Sequence, residues 1–277
     1  MGLFFNYETS ASIGKRATGF ARYRELLERD FSKFLVINLL TLVGFLPFAF
    51  GVFSSIIFSS SLLLIPASIV GGIFVGPTLC GLYDAIFRSL RDAPNDWWSN
   101  YKKAWKQNFK SSIVPGIVLC LLIGLYIFMF MLFFWANTAP SIGTILVYIL
   151  SICLFLMIIT VFWPQLVLFS QTNKQRLINC LLFSVRYLWK MLLVTILQVF
   201  YWGLIVLFLP WSIVLLPLTG FWFILFLVNF ILYSAFDESF KIEEQIAKYF
   251  PDQVPIYEDD EAWLKRKQEE NNEEIKK

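Results

Sequence analysis

Histidine is absent from the 277 residues. With it go imidazole acid–base catalysis, histidine metal sites and histidine proton switches. Charge is scarce as well. Only 16% of the residues are Asp, Glu, Lys or Arg, against about a quarter in soluble domains, so the chain cannot cover a globule with water-facing groups. Cysteine supplies no framework: Cys80, Cys120, Cys153 and Cys180 are far apart and form no CxxC pair. They read as small apolar residues in or near helices. No glycine-rich phosphate loop ending in lysine occurs, so no nucleotide motor is encoded. A long polar and charged segment precedes the first apolar run, where a secretory signal would have a short basic start, so no signal peptide is expected.

What the chain has instead is apolar bulk. Hydrophobic residues make up 58%, with 30 Phe and 10 Trp. A transmembrane helix needs about 20 mostly apolar residues. Six runs qualify: 34–58, 62–83, 113–136, 142–169, 191–209 and 213–236. The first two lie almost end to end, with Ser59, Ser60 and Ser61 as the turn between them. The connections at Asn137–Ser141 and Pro210–Ser212 are equally short. The expectation is an all-α polytopic membrane protein of six transmembrane helices, with amphipathic helices on the cytoplasmic face. Residues 1–33, the inner loops 84–112 and 170–190, and an acidic tail over 237–277 then all fall on one side. All the Lys and Arg fall there too, which by the positive-inside rule makes that side, and both termini, cytoplasmic.

The six runs contain no Asp, Glu, Lys, Arg or His. Ion-coupled transporters and pumps need such groups within the membrane. The strongly polar candidates are Asn38, Gln165, Gln198 and Asn229. They serve either as interhelical hydrogen bonds, each worth about 1 kcal/mol, or as substrate contacts. Prolines 47, 66, 77, 115, 164, 210 and 217 lie in or at the ends of the runs, where they kink helices or mark broken ones. Gly71, Gly72, Gly76 and Gly81 let another helix approach closely.

On the inner side, DWWSNYKKAWKQNFKSS at 96–112 reads as a helix capped by Asp96. Trp97, Trp98, Tyr101, Trp105 and Phe109 form an aromatic stripe beside Lys102, Lys103, Lys106 and Lys110. That pairing suits a helix in the lipid interface, with aromatics at headgroup level and lysines on anionic phosphates. A nucleic-acid grip would need a basic groove with stacked bases, whereas this stretch leads straight into the run at Ile113. Loop 170–190 repeats the theme with Arg186, Tyr187, Trp189 and Lys190 before the fifth span. Pro77 and Pro164 precede the two loops and hint at a duplicated hairpin. The tail holds FKIEEQIAKYF, a short amphipathic helix, then EDDE and QEENNEE, a solvated or partner-docking end.

The N-terminal part resembles a known family. MGLFFNYE at 1–8, INLLTLVGFLPF at 37–48, GPTLCGLYDAIFRSLRD at 76–92 and WWSNYKKAWKQNFKSS at 97–112 are, in that order, similar to motifs of the YesL-type bacterial integral membrane proteins, a domain-of-unknown-function family. The chain departs from the family's pattern at Ala49–Val75, which intervenes between the Leu-Pro motif and the glycine-rich stretch. The resemblance supplies no catalytic residues. It implies a protein of the cytoplasmic membrane of Gram-positive bacteria, associated with carbohydrate uptake and utilisation.

Three functional classes follow. The first is a non-catalytic accessory or regulatory protein of a membrane transport complex, holding anionic lipid or a partner at its inner face. The second is a permease for a neutral solute such as a sugar, lined by Asn38, Gln198 and Asn229. The third, a membrane enzyme, lacks acid, base, cofactor and metal ligands in the spans, and Asp84, Asp92 and Asp96 read as turn and cap residues.

Overall fold

The computed structural model describes residues 12–13, 18–93, 96–135, 139–249 and 257–258. It is all-α, with eight α-helices among the described residues: α1 Gly19–Ile57, α2 Leu64–Leu90, α3 Trp97–Trp135, α4 Ile142–Leu168, α5 Asn173–Arg186, α6 Leu188–Leu207, α7 Gly220–Phe240 and α8 Ile242–Tyr249. Six of them (α1, α2, α3, α4, α6 and α7) are long and apolar enough to cross a membrane. Ser12–Ile13 pairs in parallel with Tyr257–Glu258. The rest of the acidic tail beyond Tyr249, and the MGLFFNYE motif, lie outside the described residues.

Helix α2 is the centre of the fold, and nearly every side chain from Val75 to Leu90 is buried. Its glycines explain how. A Cβ on Gly72 would stand 2.4 Å from the backbone nitrogen of Ile117, and one on Gly76 would stand 2.4 Å from the carbonyl oxygen of Ser112. Helix α3 therefore lies backbone to backbone against α2. On the other flank Gly44 of α1 faces Thr78, and Gly51 faces Ala67. Lipid tails are as apolar as leucine, so close packing of small residues, rather than hydrophobic burial, holds such helices together.

Two helices are far longer than a crossing. Both α1 and α3 have 39 residues, about 58 Å at 1.5 Å per residue, against a hydrocarbon core of about 30 Å. Helix α1 spends its excess as a charged extension over residues 19–33. Helix α3 absorbs the whole 97–112 stretch, so that stretch is no separate helix laid flat on the lipid. The same helix also outruns the first hairpin. Gly124 lies against Leu64, the first residue of α2, and α3 continues from there to Trp135, roughly 16 Å further.

The sixth run differs most from expectation. Helix α7 starts at Gly220, not at Ile213. Residues Trp211–Leu215 form a 3-10 turn instead, and Leu216-Pro217-Leu218-Thr219 leads into the helix. Proline lacks an N–H and its ring clashes with the preceding turn, and Pro210 and Pro217 bracket the segment that departs from α-helix. Pro47, Pro77, Pro115 and Pro164, in contrast, sit inside α1, α2, α3 and α4.

Candidate functional site

One end of the helical bundle, where the extension of α1 meets the end of α2, holds its charge chemistry. Asp92 adopts left-handed backbone (φ 58°) just past the end of α2. Its carboxylate receives Arg22 and, at 2.5 Å, Arg29, both from the extension of α1. Arg29 also donates to Asp30 at 2.8 Å and to the Ser89 carbonyl at 2.9 Å. Asp30, buried, accepts in addition from Ser89 Oγ at 2.6 Å and from Lys33 at 2.5 Å. Asp84 pairs with Arg88 at 2.8 Å. Asp84 thus lies within α2 rather than at a turn or cap, whereas Asp92 lies in a turn but also joins Asp30 and Ser89 in an ionic lattice tying α1 to α2. Its trace in the sequence is Arg22 and Arg29, seven residues apart and so on one helix face. Nothing in the sequence pairs them with Asp92.

The 97–112 stretch has its aromatic side turned to protein. Tyr101 is buried because Gly81 leaves room for its ring: a Cβ on Gly81 would come within 2.3 Å of Tyr101 Cε2. Trp97, Trp105 and Phe109 are half-buried on the same side, with the rings of Trp105 and Phe109 5.0 Å apart. Trp98 is exposed, stacks on Tyr101, and carries the Lys102 ammonium 5.1 Å from its ring centroid. Lys102, Lys103, Lys106 and Lys110 are all exposed. Aromatic periodicity alone does not separate a lipid-facing stripe from one facing a neighbouring helix, and here the glycines of α2 decide.

The second inner loop is built the other way round. Thr172 caps α5 in a capping box with Gln175, an arrangement worth about 1 kcal/mol. The stripe Leu177, Ile178, Leu181, Leu182 and Val185 points outward, and Arg176, Cys180 and Phe183 point inward. This is the pattern of an interfacial amphipathic helix. Tyr187 breaks the path between α5 and α6 with φ −113° and ψ 38°. Around it Arg186 pairs with Glu238 at 2.7 Å, Lys190 donates to Ser234 Oγ at 3.1 Å, and Ser239 donates to the Tyr187 hydroxyl at 3.1 Å. Trp189 is 82% exposed. The structure therefore keeps Arg186, Tyr187 and Lys190 together as a hinge onto α7.

Helix α5 also buries Arg176. Its guanidinium donates to Asn173 Oδ1 at 2.7 Å and to the Phe169 carbonyl at 3.4 Å, while its Nε is buried without a partner. Burial lowers the pKa of Arg176, and burial followed by repulsion from Arg88 lowers that of Arg91. Arginine stays charged regardless.

Three of the four intramembrane polar residues reach polar groups beyond their own helix, and Asn38 of α1 does so most fully. Its Nδ2 donates to the carbonyls of Leu216 (2.9 Å) and Pro217 (3.0 Å), and its Oδ1 accepts from the Phe221 N–H at 2.9 Å. It thereby satisfies the backbone that Pro217 leaves open and caps α7. Non-helical backbone at membrane depth survives only where protein satisfies it in this way. Gln198 of α6 donates to Thr160 Oγ1 of α4 at 2.9 Å. Gln165 accepts from Asn179 Nδ2 of α5 at 3.0 Å and donates to the Val161 carbonyl at 3.1 Å. Asn229 donates to the Leu225 carbonyl of its own helix at 2.7 Å, and its buried Oδ1, like Thr195 Oγ1, has no partner.

Among the described residues no group of three or more His, Cys, Asp and Glu side chains could hold a metal. Together these features define a multi-pass α-helical membrane protein with a glycine-packed centre and one charged end. No protein-family model, curated protein or solved structure matches the chain.

Proposed function

We propose that the protein is a non-catalytic accessory or regulatory component of a bacterial transport system, set in the cytoplasmic membrane with both termini inside. Carbohydrate as the cargo of that system rests on the YesL resemblance of residues 1–112. The inner face, on this view, holds anionic lipid and a transport complex, through the lysines of α3 and the apolar stripe of α5. The observation that carries the proposal is Asn38. The start of α7 is a helix N-terminus next to irregular backbone, the arrangement with which transporters grip substrate. Here the Asn38 side chain already occupies the Phe221 N–H and the Leu216 and Pro217 carbonyls.

The test is purified protein in liposomes presented with a panel of sugars. The expected result is no flux from the protein alone, together with co-purification of a permease from native membranes. Uptake by the protein alone would overturn the proposal. A permease for a neutral solute is the second reading, favoured by Asn229 Oδ1 and the Thr195 hydroxyl, both buried and without a partner among the described residues. Replacing Asn38, Gln198 and Asn229 by Leu, singly, separates the two. On the accessory reading the Asn229 variant keeps the phenotype and the Asn38 variant loses stability. A permease loses its substrate dependence in the Asn229 and Gln198 variants with folding intact.

A further inference from the structure

A groove of about 430 Å³ runs along the outside of the first three helices. Helices α1 and α3 are its walls and α2 is its floor. Val43, Gly44 and Pro47 line one side, Phe74 and Thr78 the bottom, and Tyr101, Lys102, Trp105 and Lys106 the other side. The groove exists because Gly44 lets α1 settle onto Thr78, while α3 meets α2 through glycines on a different face. Its lining is apolar apart from one end, where the two lysines stand one helical turn apart, about 6 Å between their Cβ atoms.

The register between α2 and α3 gives its length. Ser112 sits beside Gly76. Lys102 lies ten residues below that level and Phe74 two above it, so the two ends are separated by roughly 18 Å. One leaflet's hydrocarbon is about 15 Å deep. The lysine end is electrically unfilled. Asp30, Asp84 and Asp92 are engaged by Arg22, Arg29, Lys33 and Arg88. Among the described residues neither Lys102 nor Lys106 forms an ion pair. Trp98 and Trp105 flank them, and indole rings favour the headgroup region.

We infer that this groove is the seat of one anionic phospholipid, its phosphate on Lys102 and Lys106 and an acyl chain along Val43, Pro47 and Phe74. The inference rests on the proposal that the inner face holds anionic lipid, and narrows it from a surface to one site. Lys103 and Lys110 lie on the same helix but do not line the groove.

The test uses the full chain, purified in mild detergent and loaded from vesicles of equal phosphatidylglycerol and phosphatidylcholine, with retained lipid counted by native mass spectrometry. Wild type is expected to retain phosphatidylglycerol over phosphatidylcholine. K102Q/K106Q should lose that preference by about tenfold or more, since each lysine near an anionic surface contributes about a factor of five. K103Q/K110Q should stay close to wild type. Val43 is 61% exposed, so Val43→Trp fills the groove without touching the core, and should lower retention of both lipids while leaving the unfolding temperature in place. Equal losses in the two lysine pairs, or full retention in Val43→Trp, would overturn the groove and leave the broader inner-face proposal standing. Release of lipid by millimolar glycerophosphate would show a phosphate site that needs no chain, and would also overturn it. No preference for the anionic lipid in wild type would remove both.

Discussion

The segments 97–112 and 173–186 carry one sequence theme and fold in opposite senses. Each follows a proline-bearing helix, each mixes basic with large apolar residues, and each leads into a span. In the first, the apolar side faces α2 and the lysines face out. In the second, the apolar side faces out, and Arg176 with Cys180 and Phe183 faces in. The first is one helix with its span, while the second is cut from its span at Tyr187. The cause lies in the neighbour rather than in the segment. Helix α2 offers Gly72, Gly76 and Gly81 to α3, and a helix that can reach that surface runs straight along it. The contacts of α5 with α4 run through side chains, Gln165 to Asn179 and Cys180, and leave its apolar stripe for the lipid.

Breaking the anchor of the first segment should have the largest effect. Asp92→Ala removes the carboxylate that Arg22 and Arg29 share and leaves them to Glu25 and Asp30, and loss of a partner from a buried ionic group costs up to about 3–5 kcal/mol. Thermal unfolding of the detergent-purified chain should show it as a clear drop, and an unchanged midpoint would mean the lattice is not formed. Gly76→Val comes next. Its added carbons meet the Ser112 carbonyl, an overpacking that costs about 1–3 kcal/mol. A Val at Gly203 of α6, where nothing lies within 4 Å of a Cβ, should be close to silent, and equal losses at the two glycines would refute the idea that α3 is positioned by α2.

Smaller effects sharpen the second segment. Thr172→Ala removes the capping box and should cost about 1 kcal/mol, seen as faster amide exchange confined to the first turn of α5. Exchange that accelerates through α6 as well would show that Tyr187 does not uncouple the two helices. Arg186→Gln breaks an ion pair between two half-exposed side chains and should change stability by less than about 1 kcal/mol. A larger loss would mean that the hinge onto α7 depends on that pair.

Much of this protein can be read from its chain because membrane solvent is a severe filter. Twenty apolar residues without charge have almost one fate, a helix, since each unpaired backbone group in hydrocarbon costs several kcal/mol. Hence six long helices, the helical fold class and the serine turn near residue 59 follow from composition and run length. Asn38 is half legible. Its type announces a hydrogen bond inside the membrane, but its partners, Leu216, Pro217 and Phe221, lie about 180 residues away. The break before α7 is written in Pro210 and Pro217, yet a sliding apolar run passes over both.

Direction, in contrast, is set by packing. Sequence periodicity places Trp97, Tyr101, Trp105 and Phe109 on one side of a helix, and Leu177, Leu181 and Val185 on one side of another. Whether a side looks at lipid or at protein depends on which surface can approach it, and both environments are equally apolar, so hydrophobic pattern carries no sign. For the first side the sign came from the glycines of α2, through the distance of closest approach they permit, and for the second from the contacts of Asn179 and Cys180 with Gln165. The same holds for charge. The lysines of the first segment and the arginines of α1 look alike as residues, and only the fold gives the arginines Asp92 and leaves Lys102 and Lys106 beside an open groove.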